Sequence, residues 1–383
     1  MKRIILLQCF FLAAIWVATA QTQTTFNERY KATVKGDMIV VGNTVIGTTK
    51  TGDNNNRNLN NNDVKQVYID IDNDSNTFNS SSAEVKDPNP TSACPRKVKK
   101  AYLYWASFPL SERNDWLTTK VDKSKVNKVK FKIDNGAYQE IIGDEVYSNK
   151  STIFIYRADI TDKLNKVAGT YTVADLQAGQ GRGWGLTAGW TLFIVYEDTS
   201  KPARNITLFD GYTEVDAGHP RTVKVSGFKT VPAPLPVNAK IAFAAVEGDA
   251  TGTGDQLKIT TNKISNEVLY APDRPYNNFF NSTITDENGI NYNRKPKSNN
   301  MLGFDIGVFK LENANKRILG NDTTEASLHL TSAGDYYVPF MFAFNVEVIE
   351  PTVLMSKRVF NSANQDVTGK NTIALGETLR YEI

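Results

Sequence analysis

The 383 residues carry 44 Lys and Arg against 41 Asp and Glu, a formal net charge of +3. That near balance excludes a nucleic-acid binder or a polybasic membrane binder, both of which need concentrated positive charge. The two cysteines, Cys9 and Cys94, exclude a disulfide scaffold, so the fold must rest on core packing.

Residues 1–20 read as a secretory signal. Lys2 and Arg3 precede an apolar run from Ile4 through Ala14, and Ala18 and Ala20 stand at the small-residue positions of a peptidase site. The run is too short for a transmembrane helix, and Cys9 lies inside it rather than at its end, which argues against a lipid anchor. The mature chain is then expected to begin at Gln21, with about 360 residues, a charge of about +1 and Cys94 alone. No later segment is long and apolar enough to span a bilayer.

From residue 30 onward the hydrophobic period is two, which predicts strands. In chain order these fall at 67–71, 101–105 (AYLYW), 129–133, 153–157, 171–174, 190–196 (WTLFIVY), 206–209, 223–228, 241–246 and 304–309. The clearest alternation is Val338, Phe340, Phe342, Phe344, Val346 and Val348, six apolar residues expected on one side of a central strand. Each such Phe contributes roughly 1.5–3 kcal/mol on burial. The basic stretch from Lys120 to Lys132 alternates Lys with Val, Asp and Phe and reads as the solvated face of a strand. Only 160–167 has helical spacing, with Asp159 or Thr161 as N-cap and Gly169 as stop. Gly, Asn, Asp and Pro clusters separate the strands, among them DNNNRNLNNND at 53–63, whose composition predicts a mobile loop.

Many short strands so punctuated predict an all-β fold, a large antiparallel β-sandwich with a jelly roll as one form of it. The chain changes character near Glu350 and Pro351. Residues 351–383 hold two strands, too few to bury a core, and are expected to be the start of a second β-sandwich cut short, the plainer reading being a C-terminal hairpin packed on the main domain. The division is therefore 1–20, 21–350 and 351–383.

Chemistry is sparse. The mature chain has two histidines, His219 in a polar loop and His329 at strand spacing in SLHLT, the latter expected to be half-buried and satisfied. Without H-x-x-x-H, C-x-x-C or G-x-S-x-G, zinc and serine hydrolases lack their parts. A glycosidase needs only two carboxylates about 5–9 Å apart, and this stays as the alternative to a non-catalytic role. Asp70, Asp72, Asp74 and Asn76 form D-x-D-x-D-x-N, oxygen ligands at alternate positions that suit calcium. The EF-hand pattern is not met, because Asn73, Ser75 and Ser81 occupy its Gly and Glu positions. Glu247, Asp249 and Asp255 in a Gly-rich loop form a second calcium candidate. For both, solvated strand ends and Asx-turns are the plainer reading. Of Trp105, Trp116, Trp184 and Trp190, the first and last lie in apolar strands and belong to the core. Trp184, in GQGRGWG at 179–185, is the candidate sugar platform, with Arg182 and Gln180 as hydrogen-bond donors beside it.

An ordered series of motifs carries a resemblance. It runs GDMIVVGN at 36–43, YIDID at 68–72, TFNSSSA at 77–83, AYLYW at 101–105, AGWTL at 188–192, RNITLFDG at 204–211, EGD at 247–249 and NNFFNS at 277–282. The series resembles the N-terminal domain of large bacterial surface proteins, common in Bacteroidota, that carry gliding-motility or type IX secretion sorting tails. There the domain precedes tandem DUF11-like Ig repeats, and VLMSKRVF…LGETLRYEI at 353–383 resembles the start of one. The resemblance implies a secreted or cell-surface, adhesin-like protein. Its partners would be a cell-surface or environmental glycan or protein and the outer-membrane export machinery. It supplies no catalytic residues. A purely structural surface module is the third reading.

Overall fold

Alternating apolar residues in long strands build one antiparallel sheet whose two halves fold face to face. The computed structural model describes residues 24–108, 117–119, 121–149, 152–349, 355–370 and 372–383. The leader expected at 1–20, Trp116 and the boundary at Glu350–Pro351 lie outside them. The sheet has eleven strands, in the order Gly289–Ile290, Ile284–Asp286, Gly303–Lys310, Ala239–Gly248, Val338–Glu347, Ala203–Tyr212, Thr24–Thr44, Thr187–Glu197, Lys97–Phe108, Phe154–Asp159 and Asp144–Ser148. All its pairs are antiparallel except Ile284–Asp286 with Gly303–Lys310. The strand Thr24–Thr44 joins the halves: Lys35 pairs with Ala203 on one side, and Gly36 with Glu197 on the other.

Three cores follow. The first lies between the half containing Thr187–Glu197 and a five-stranded sheet, ordered Arg294–Lys295, Ser80–Val85, Gly169–Ala174, Lys128–Ile133 and Gln139–Ile142. Trp105 and Trp190 are fully buried there, as the sequence predicts, and their indole N–H groups donate to Val126 O at 2.9 Å and Ser81 Oγ at 2.8 Å. The second core lies between the half containing Ala239–Gly248 and a four-stranded sheet, ordered Arg221–Ser226, Glu325–Thr331, Gln256–Thr260 and Glu267–Val268. His329 sits half-buried in this smaller sheet between the hydroxyls of Thr222 and Thr260. The third core fills the space between the two halves. A Cβ on Gly189 would lie 2.7 Å from the Phe304 ring and one on Gly42 2.6 Å from Ile306, so these positions set how closely the halves approach. The protein is all-β, with stacked antiparallel sheets, and its described helices are three-residue 3-10 turns.

Three expectations are corrected. The six alternating residues of Val338–Glu347 and beyond do not share a face. Ala244 pairs with Met341 but Ala245 with Pro339, a bulge at a proline that has no N–H to offer the ladder. Val338 and Phe340 therefore enter the third core, while Phe342, Phe344 and Val346 enter the second. The helix expected at 160–167 is one 3-10 turn, Thr161–Lys163. Ile160, Leu164 and Val167 are all buried in the first core without a helix, eight residues being marginal for one in isolation, and Asp159 Oδ1 accepts from Thr161 N and Oγ1. The asparagine-rich loop is packed and hydrogen-bonded despite its composition: Asn54 and Asn61 are buried, and Asn54 and Asn56 each cap the amide two residues on, side chains standing in for backbone turns.

In 355–383, Arg358–Phe360 and Arg380–Glu382 form a two-stranded ladder that pairs with no other strand among the described residues. Among the described residues, no helix is long and apolar enough to cross a membrane.

Candidate functional site

Strands Ala239–Gly248 and Lys97–Phe108 end, and Thr187–Glu197, Gly303–Lys310 and Val338–Glu347 begin, at one end of the stacked sheets. The loops there interlock. Arg57 Nη1 donates to Asn281 O at 3.0 Å and Asn299 O at 2.9 Å, and Asn300 Nδ2 donates to Asn56 O at 2.9 Å and Leu59 O at 2.7 Å. Asn61 Nδ2 donates to Glu247 Oε2 at 3.1 Å, and Thr251 Oγ1 to Asn60 Oδ1 at 3.0 Å. The asparagine-rich loop thus connects the Trp184 loop to the Glu247–Asp255 loop.

Trp184 is 76% exposed, yet its loop is held from below. Gly185 N donates to Asn62 Oδ1, and Arg182 Nε donates to Asn62 O at 3.2 Å. Gly181 and Gln66 exchange backbone hydrogen bonds at 2.7 and 2.8 Å. Gly185 has φ +69°, and a Cβ there would fall 1.5 Å from Glu247 Oε1. Only glycine fits this turn over a buried acid, and the turn presents the indole outward on a fixed base. Arg182 is exposed, 4.0 Å from Asp63. Gln180 is not a free donor: it is half-buried, its Oε1 accepting from Tyr68 N and its Nε2 donating to Thr119 Oγ1, both at 2.9 Å.

Beneath the loop lies a group of acids. Glu247 is buried with φ +74°. Burial pushes its carboxyl well above the usual range, against the hydrogen bond from Asn61. Burial, with the charges of Asp63 and Asp305, raises Asp249 to about 6. Asp255 rises to about 7 through burial, against the Phe280 N–H. Burial raises Asp335 to about 8, against the Asp249 N–H and with Asp249 and Asp255 adding to it. Carboxyls raised in this way suit either acid–base chemistry or cation binding. The sequence does not single out Asp335, Asn61 or Asn278 as site residues: Asn61 lies in the asparagine-rich run and Asn278 in NNFFNS, but neither segment marks a site by itself, and topology brings all three here.

The other acidic candidate lies elsewhere. Asp72 faces protein donors: Lys132 Nζ at 2.6 Å, Tyr138 OH at 2.7 Å and Ser80 Oγ at 2.8 Å. Asp70 Oδ1 accepts from Asn73 N and Ser80 Oγ, and Asp74 Oδ1 from Asn76 N and Nδ2. These are Asx-turns at a strand end. Asp72 and Lys132 line a polar groove of about 700 Å³ on the outer face of the five-stranded sheet, with Tyr292 at its side. Lys128, Lys130 and Lys132 pair there with Glu140, Asp175 and Asp72, the solvated strand face that the sequence predicts. No three His, Cys, Asp or Glu among the described residues stand close enough to chelate an ion by themselves.

No protein-family model matches the chain, and no curated protein matches it. Among solved structures, the crystal structure of mavirus major capsid protein aligns over 93% of this chain and 100% of that chain, at 8% identity and a TM-score of 0.18, a likeness too slight to carry an argument.

Proposed function

We propose that the protein is an exported cell-surface recognition module that binds a glycan at the Trp184 end of the stacked sheets, without catalysis. The observation that carries this reading is a tryptophan 76% exposed on a turn packed against Glu247 and hydrogen-bonded to Asn62. A flat indole matches the C–H face of a pyranose, and a fixed one forfeits little entropy on binding. Arg182 and Asn62 lie in or against the same loop and bring hydrogen-bonding groups to it. The resemblance to Bacteroidota surface proteins supports the same role, with DUF11-like repeats as a stalk and the outer-membrane export machinery as a transit partner. A glycan array probed with the wild type and with Trp184→Ala tests it. Binding lost in the variant, with no sugar released, is the expected result.

A second reading has its own observation. Asp249 and Asp255 titrate near neutral pH, as the acid of a glycan hydrolase must. Reducing sugar released from arrayed glycans, and abolished by Asp249→Asn, would replace the first reading with this one.

A further inference from the structure

Three buried side-chain oxygens in one corner of this end have no hydrogen-bond partner: Asp249 Oδ1, Asp255 Oδ1 and Asn278 Oδ1. Asp255 is 0% exposed and Asn278 7%. The backbone brings them together. Gly254 N donates to Asn277 O at 2.7 Å, Asn278 Nδ2 to Ala250 O at 3.1 Å, and Phe280 N to Asp255 Oδ2 at 2.6 Å. The Asn278 amide is thereby fixed by its nitrogen against the loop between Asp249 and Asp255, and its oxygen is left unused. Asp335 closes the corner. Its Oδ2 accepts from Asp249 N at 3.2 Å, and a Cβ on Gly252 would lie 2.8 Å from its Oδ1 and 3.0 Å from Asp249 Cβ.

All three of these unpartnered atoms are acceptors, and burying an acceptor without a donor is unfavourable. Asp249 and Asp335 face the charges of other carboxylates, and Arg274, whose charge also reaches Asp255, is already paired with Asp305. Asp305 and Asp210, by contrast, are neutralised by Arg274 and by Arg29 with Arg157. A water molecule brings two protons and no charge; a hard cation brings the charge that the corner lacks.

We propose that Asp249, Asp255 and Asn278, with Asp335 beside them, bind a divalent cation of the calcium type. Carboxylates alone do not converge there, so the donor set is mixed: two carboxylates, an amide carbonyl, and backbone carbonyls or waters to complete it. Calcium accepts such irregular oxygen sets, whereas magnesium demands a near-ideal octahedron. Glu247, the third acid of the sequence motif, is outside the set, because Asn61 and the Gly185 turn occupy its two oxygens. Calcium binding here does not require that Trp184 take a sugar.

Calcium chloride titrated into the chelator-stripped chain by calorimetry tests the site, together with melting in calcium, in magnesium and in EDTA. Saturable binding of one ion, and melting about 3 °C or more higher in calcium than in EDTA, are expected. Asp255→Asn and Asn278→Ala should each weaken binding about tenfold or more, with melting in EDTA unchanged or raised for Asp255→Asn, which no longer buries a charge. Asp249→Asn serves if either variant fails to fold. Equal melting in calcium and EDTA with no heat of binding overturns the proposal, leaving protons and water as the occupants. Calcium binding that survives all the variants places the ion elsewhere and overturns it equally.

Discussion

Arg274 and Asp305 are both 0% exposed, and their separation should unfold the end of the molecule that carries the candidate site. Asp305 Oδ1 accepts from Arg274 Nη1 at 2.9 Å and from the Asn281 and Thr283 amides at 3.1 Å, and its Oδ2 accepts from Ser282 N at 2.9 Å. Arg274 reaches Thr285 Oγ1 and the carbonyls of Phe279, Thr283 and Ile306, with its guanidinium 4.8 Å from the centre of the Phe243 ring. The pair pins the segment that places Asn278 and Phe280. Arg274→Met keeps the packing of the stem but strands a buried carboxylate, and Asp305→Asn strands a buried guanidinium. Each should cost about 3–5 kcal/mol. The double variant strands neither charge, because both are removed, and the Asn oxygen can still accept from the Asn281 and Thr283 amides, leaving only Ser282 N without its acceptor. It should recover about 2 kcal/mol or more relative to the sum of the singles. Urea denaturation of the four proteins, analysed for midpoint and slope, measures this. Single-variant costs below about 1 kcal/mol, or simple additivity, would refute the reasoning.

Trp184→Ala should change unfolding free energy by no more than about 0.5 kcal/mol in urea while abolishing glycan capture; a large loss of stability would return the indole to a packing role. Gly185→Ala, with φ +69° and its Cβ upon Glu247, should both destabilise the fold by about 1–3 kcal/mol and weaken capture, read by the same two assays. Burial tends to raise Asp72, but hydrogen bonds from Lys132, Tyr138 and Ser80 prevail and lower it to about 2. Its contribution is therefore present above the unfolded value of about 4 and lost as pH falls through 2. Between pH 5 and 2 the wild type should lose about 1 kcal/mol more than Asp72→Asn, a figure already reduced for solvent screening.

Strand positions were legible because burial on a pleated sheet imposes a period of two, and WTLFIVY or AYLYW satisfies it wherever it lies. The face of each strand was less legible: one proline at 339 reverses the side on which Val338 and Phe340 emerge. The 160–167 segment misled because Ile160, Leu164 and Val167 have helical spacing, yet a core that reaches all three needs no helix to do so. The asparagine-rich loop misled because composition counts apolar anchors, whereas this loop is held by amide side chains and by Arg57. Trp184 and Asp249 could be named separately. Their common end of the molecule, and the addition of Asp335 and Asn278, depend on pairings between residues far apart in the chain, which no local pattern encodes.

The strand Thr24–Thr44 is a seam: its first part zips to Ala203–Tyr212 and its second to Thr187–Glu197. A chain that emerges amino-terminus first exposes this segment long before either neighbour is made. Closure is then a late step with high contact order, and until it happens an unpaired strand of 21 residues is open to other copies of itself. It follows that neither half of the molecule is separable by cutting near residue 200, because each would lose or strand a share of the seam. It also follows that yield from a refolding experiment should fall steeply with protein concentration, well before the finished fold shows any tendency to associate.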